Sequence, residues 1–67
     1  MKALYEGKAS KIIVDGEELE INKEYDITVD SPSRFSGFKY DISIRGELIS
    51  SYKDELKMLD DWKLGGI

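Results

Sequence analysis

The side chains that could do chemistry in this chain are mostly carboxylates. Asp15, Glu17, Glu18, Glu20, Glu24, Asp26 and Asp30 stand within residues 15–30 against Lys23 alone, a local charge of −6 in a chain of net charge −4. Such a run makes a poor general surface for phosphate and a good one for a basic protein. It also serves to solvate the outer face of a sheet. Glu17, Glu18 and Glu20 follow the turn signal Asp15-Gly16 and are the acids expected to meet a partner.

Catalysis has little to work with. There is no histidine and no cysteine, so the serines at Ser50-Ser51 and in the Pro32 loop have no imidazole to activate them. A Ser–Lys pair with Lys53 competes with helix capping, the commoner duty of a serine at such a position. We expect no enzyme. Structural zinc sites need the two missing residue types. The adjacent pairs Glu17-Glu18 and Asp60-Asp61 point apart in either regular structure, and the chain has no calcium-loop pattern. No cofactor and no metal are expected.

Two further positions qualify as binding residues. Arg34 and Phe35 sit at the centre of the loop Ser31–Gly37, and arginine and aromatic residues are enriched at interface hot spots. Phe35 either anchors a partner or folds back to cap an open end of the sheet. Trp62, beside Asp60-Asp61, either stands at an interface rim or seals the core edge. Nucleic-acid binding through Arg34, Lys39 and Arg45 is the weaker reading. Strand alternation puts Lys39 on the face opposite Phe38 and Tyr40, whereas base-stacking surfaces present aromatic and basic groups together.

The elements that must position these residues are mainly strands. Phe38, Tyr40, Ile42 and Ile44 alternate with polar residues, as do Tyr25, Ile27 and Val29, and a period of two sets each apolar group on one sheet face. Lys2–Tyr5 is a weaker strand and Lys11–Val14 a better one. Asp15-Gly16 signals a tight hairpin turn, Asn22 a kink with positive φ, and Arg45-Gly46 a second turn. Pro32 keeps its loop out of a central strand.

The C-terminal third admits two readings. Ile49, Tyr52, Leu56 and Leu59 form a helical stripe, Ser51 with Asp54 resembles a capping box, and Gly65-Gly66 would stop the helix; this predicts a helix over Ser51–Trp62. The alternative is a strand over Glu47–Ser51 and a helical turn over Lys53–Leu56. The expected core is Ile12, Val14, Leu19, Ile21, Tyr25, Ile27, Val29, Tyr40, Ile42, Ile44, Leu56 and Leu59. Together these define a mainly β or α+β fold, a small bent antiparallel sheet or barrel with a C-terminal helix or helical turn. The chain forms one domain over residues 1–64, with 65–67 as a frayed tail. Domains this small bury only about 60% of their unfolded surface.

No stretch approaches the roughly 18 to 20 apolar residues of a membrane span, and Met1–Tyr5 is too short and mixed for a signal peptide. Lys53-Asp54-Glu55-Leu56 has the letters of a retention signal, which is read only at a C-terminus. The absence of cysteine fits a reducing cytoplasm. Leu64-Gly65-Gly66 has the look of a ubiquitin-like tail, but that fold places its helix after the first hairpin, and Ile67 follows the glycines.

The segment from Asp15 to Ile27, with Asn22-Lys23-Glu24-Tyr25-Asp26-Ile27 where a G-K-x-Y-x-V strand start is usual, resembles the opening of small SH3-like β-barrel proteins, many of them encoded by phages and mobile elements of Gram-positive bacteria. Asn22 takes the place of the usual glycine. The resemblance implies a barrel of about four to five strands and a small cytoplasmic accessory protein, in the host cytoplasm if the source is viral. It implies binding to another protein and brings no site residues with it. The expected function is a non-catalytic protein-binding module, a modulator or inhibitor of a host protein with a basic surface. Nucleic-acid binding, or self-association into a homodimer or assembly through sheet edges or the helical stripe, stands as the alternative.

Overall fold

The computed structural model describes residues 1–31 and 37–65. Within these residues eight short strands and one helix follow in the order β1 (Lys2–Tyr5), β2 (Ile13–Val14), β3 (Glu17–Glu18), β4 (Glu24–Asp26), β5 (Thr28–Asp30), β6 (Tyr40–Ile44), β7 (Glu47–Tyr52), α1 (Glu55–Asp61) and β8 (Trp62–Leu64). All pairings are antiparallel. They make two three-stranded sheets, β4-β1-β8 and β5-β6-β7, and a separate hairpin β2-β3. No ladder among the described residues closes them into a barrel, so the mainly β class stands and the bent sheet describes it better than a closed one.

The alternation from Tyr25 to Val29 is one segment that serves two sheets. It breaks at Ile27, with Ala3 opposite Tyr25 on one side and Ile42 opposite Val29 on the other. A strand that turns a corner keeps its inward set on both sides of the bend. Ile27, 1% exposed, sits at the bend, with its N–H donating to the carbonyl of Met1.

Two tight turns use the same geometry. Asp15 and Gly16 take φ of 53° and 81°, Arg45 and Gly46 take 51° and 80°, the doubly left-handed backbone that matches the twist of a hairpin. Asn22, at φ 66°, makes the expected kink. The β6–β7 ladder slips between Ile42 opposite Ser50 and Ser43 opposite Leu48. The slip leaves Ile49 as a bulge that turns its side chain onto the core.

The C-terminal third follows the second reading in outline. Residues 47–52 are strand, and the helix begins at Glu55, capped by the Asp54 side chain, which accepts from the N–H of Lys57 at 2.8 Å. The long helix Ser51–Trp62 and the Ser51 cap are therefore corrected. Serine and β-branched residues at 49–51 extend more readily than they coil. Gly65-Gly66 does not stop the helix, which ends at Asp61 where Trp62 turns extended and donates its N–H to Met58.

The core gathers Ala3, Tyr5, Ile12, Ile27, Ile42, Ile44, Tyr52, Met58 and Trp62, with Val14, Leu19, Tyr25, Val29, Tyr40, Ile49 and Leu64 packed against it. Ile21, Leu56 and Leu59, expected inside, are exposed. The helix turns Met58 and Asp61 inward instead, and Ile21 lies in the turn before Asn22, where the strand has already ended.

Candidate functional site: the acidic hairpin and the network behind it

The hairpin β2-β3, with Asp15 in its turn and Glu20 just beyond it, carries the expected acids. Val14 lies opposite Glu17 and Ile13 opposite Glu18, and Asp15, Glu17, Glu18 and Glu20 are all exposed. Two of these acids carry surface ion pairs, Glu18 with Lys11 at 3.4 Å and Glu20 with Lys23 at 3.2 Å. Exposed pairs of this kind contribute little to stability. The hydrogen bond that the Lys23 ammonium donates to Glu20, and the charge of that carboxylate, raise the Lys23 pKa above its ordinary value.

Between the hairpin and the β6–β7 turn lies a cleft of about 470 Å³. Val14, Leu19, Tyr25 and Ile44 give it apolar walls, the acids line its hairpin side, and Lys23 and Arg45 stand among them. Tyr25 ties the wall to the interior. Its hydroxyl accepts from the Glu20 N–H at 2.9 Å, its ring lies edge-on to Trp62 at 6.2 Å, and the Lys23 ammonium sits 5.4 Å from its centre.

The other expected site residues fall elsewhere. Arg34 and Phe35 lie outside the described residues. Trp62 has no exposed surface, so it seals the core and offers nothing to a partner at a rim. It packs on Tyr5 with ring centres 5.0 Å apart, and its indole N–H donates to the Tyr52 hydroxyl at 3.2 Å. Of the basic residues considered for nucleic acid, Lys39 precedes β6 and Arg45 follows it, which separates them by roughly 20 Å along an extended chain. A second cleft, about 380 Å³, carries Phe38, Lys53 and Lys57, with the Lys53 ammonium 5.6 Å from the Phe38 ring.

Sequence reasoning missed the polar network behind the hairpin. Asp61 is fully buried. Its Oδ2 accepts from the Tyr52 hydroxyl at 2.6 Å, and its Oδ1 accepts from the N–H groups of Ala9 and Ser10 at 2.7 and 3.0 Å. Burial above all, and the bond to Asp61 next, push the Tyr52 hydroxyl well above the ordinary tyrosine pKa; Ser50 and Trp62 pull the other way. Ser50 Oγ is itself buried and stands beside that hydroxyl without the geometry of a hydrogen bond. The only sequence signal was the spacing of Asp61 three residues after Met58, on the same helix face. A hydrophobic pattern passes over a carboxylate at that position.

Among the described residues no group of three or more acidic, histidine or cysteine side chains is placed to hold a metal, and no helix is long and apolar enough to cross a membrane. Comparison of the chain with protein-family models, with curated proteins and with solved structures finds no match.

Proposed function

We propose that the chain is a non-catalytic protein-binding module that sets its acidic hairpin against a basic surface of another protein, as an accessory protein of a phage or mobile element modulating a host protein would. The observation that carries the reading is the acidic hairpin itself. Four exposed carboxylates between residues 15 and 20 line a cleft of mixed charged and apolar groups, and complementary charge of this kind raises on-rate and specificity. The kinship with SH3-like barrels belongs to the same proposal. What favours it is a single β segment that bends at Ile27 to serve two sheets, the usual way a small β fold turns its corners.

The test is a nuclease-treated pull-down from source or host lysate, comparing wild type with Glu17→Lys/Glu18→Lys/Glu20→Lys, followed by titration of the captured protein at two salt concentrations. The reading expects an affinity loss of about tenfold or more in the triple variant and a weaker salt dependence. Equal affinity of the two proteins refutes it. Trp62 fluorescence checks that the variant is folded.

A further inference from the structure

The hairpin β2-β3 shares no ladder with either three-stranded sheet, so its pose is set by its two roots and by Val14 and Leu19, which pack on the core. The second root continues the β1–β4 pairing, with Tyr5 donating to the Lys23 carbonyl at 3.0 Å and Asn22 donating to the Tyr5 carbonyl at 2.7 Å. The first root, the loop Glu6–Ser10, has no strand beside it. Backbone N–H groups in such a loop still need acceptors, and here two consecutive residues supply all of them. Glu6 and Gly7 donate to the Asp61 carbonyl at 2.6 and 3.4 Å, and Lys8 donates to the Asp60 carbonyl at 3.2 Å. Ala9 and Ser10 donate to the Asp61 carboxylate.

That carboxylate is buried, and among the described residues no cation pairs with it. A buried charge of this kind persists only when hydrogen bonds to its charged form compensate for lost water. The loop amides and the Tyr52 hydroxyl provide that compensation, so holding the charge and holding the loop are one arrangement. The backbone conforms to it: Gly7 takes φ +61°, and a Cβ there would stand 3.1 Å from the Tyr5 ring, whose hydroxyl donates to the Ser10 carbonyl at 2.6 Å. Beyond Ser10 the chain reaches Ile12, buried in the core, whose carbonyl accepts from Leu19 at 2.9 Å and closes the hairpin base.

We infer that Asp61 is a latch that holds the first root of the acidic hairpin to the end of the C-terminal helix, so that the pose of the docking face is governed from inside the core. Its bearing on binding rests on the docking reading above, whereas the latch itself is measured with no partner present. Failure of one is therefore distinguishable from failure of the other.

The experiment is amide hydrogen exchange by NMR at neutral pH on wild type and Asp61→Asn, which keeps the shape and removes the charge. Charge-assisted bonds are about twice as strong as neutral ones, so the Ala9 and Ser10 amides are expected to exchange about tenfold faster or more in the variant. Leu19 follows them, and the amides of β6 stay within about threefold of wild type. Ala9 and Ser10 unmoved would show that the loop is held by something else, and β6 amides accelerating in step would show a global effect; either overturns the latch. Should Asp61→Asn not fold, native-state exchange of wild type in low denaturant decides. The latch requires Ala9, Ser10 and Leu19 to open together before β6 does, and their opening only with β6 overturns it.

Discussion

Three tyrosine hydroxyls make hydrogen bonds of graded burial, and removing each in turn measures what the interior network is worth. Tyr52 is 4% exposed and Trp62 0%. Tyr52→Phe deletes a donor to a buried carboxylate at 2.6 Å and the acceptor of an indole N–H at 3.2 Å. A hydrogen bond to a charged group contributes about 1.5–3 kcal/mol, and a stranded buried donor costs about 1–3 kcal/mol. The two losses overlap, and about 3 kcal/mol is the expected total. Tyr5→Phe removes a neutral bond to the Ser10 carbonyl at a half-buried site, worth about 1 kcal/mol. Tyr25→Phe removes an exposed acceptor that water replaces, at a cost below about 0.5 kcal/mol.

The assay is urea unfolding followed by the fluorescence of the single tryptophan. At the usual per-residue stability a chain of this length holds about 3 to 10 kcal/mol. With a urea slope of about 1 kcal/mol per molar, Tyr52→Phe lowers the midpoint by about 3 M, Tyr5→Phe by about 1 M and Tyr25→Phe by less. The order Tyr52, Tyr5, Tyr25 is the prediction. A Tyr52→Phe midpoint no lower than that of Tyr25→Phe refutes the network as a source of stability.

Two further outcomes follow from the strands and from the tyrosines. Asp30 lies directly opposite Asp41 across the β5–β6 ladder, and like charges so placed repel, while Asp41 already accepts from Ser51 at 2.6 Å. Asp30→Lys is expected to stabilise by about 0.5 kcal/mol and to raise the melting temperature by about 2–4 °C; an unchanged or lower melting temperature counts against the register. Burial raises the pKa of Tyr52, and that of Tyr5, above the ordinary 10.0. A group whose folded-state pKa is raised contributes stability that is complete below its unfolded value and is lost as pH rises through the folded one. In an alkaline titration part of the phenolate absorbance should therefore appear above pH 10.0 together with loss of the Trp62 signal. Complete phenolate formation while the protein remains folded would contradict it.

The turns and the central strand were legible because their signals are local. Asp15-Gly16 and Arg45-Gly46 turn where the residues require it, and Ile42 and Ile44 face inward as their alternation demands. The corner at Ile27 was not legible, since an inward-facing period of two runs through it unchanged from Tyr25 to Val29. The C-terminal error has a different origin. Ile49 and Tyr52 share a helical spacing with Leu56 and Leu59 only by coincidence: the first two belong to a strand whose bulge sets Ile49 inward, and the last two face water. The helix buries Met58 and Asp61, and no hydrophobic reading selects an aspartate for the interior. The acids of the hairpin were legible as a set. Their dependence on the distant carboxylate of Asp61 was not, because it runs through backbone amides, which every sequence possesses.

The pairing of Ala3 with Leu64 and of Tyr5 with Trp62 orders events during folding. The β6–β7 hairpin closes over a two-residue turn and can form early, whereas the β4-β1-β8 sheet joins residues as distant in sequence as Ala3 and Leu64. Closing so large a loop is slow relative to local contacts. β1 must therefore wait for β8 to be made before that pairing can form. Until residues 61–64 are made, Tyr5 lacks the indole it packs on and the Glu6–Ser10 loop has no carboxylate to receive it, so the hairpin takes its place only after them.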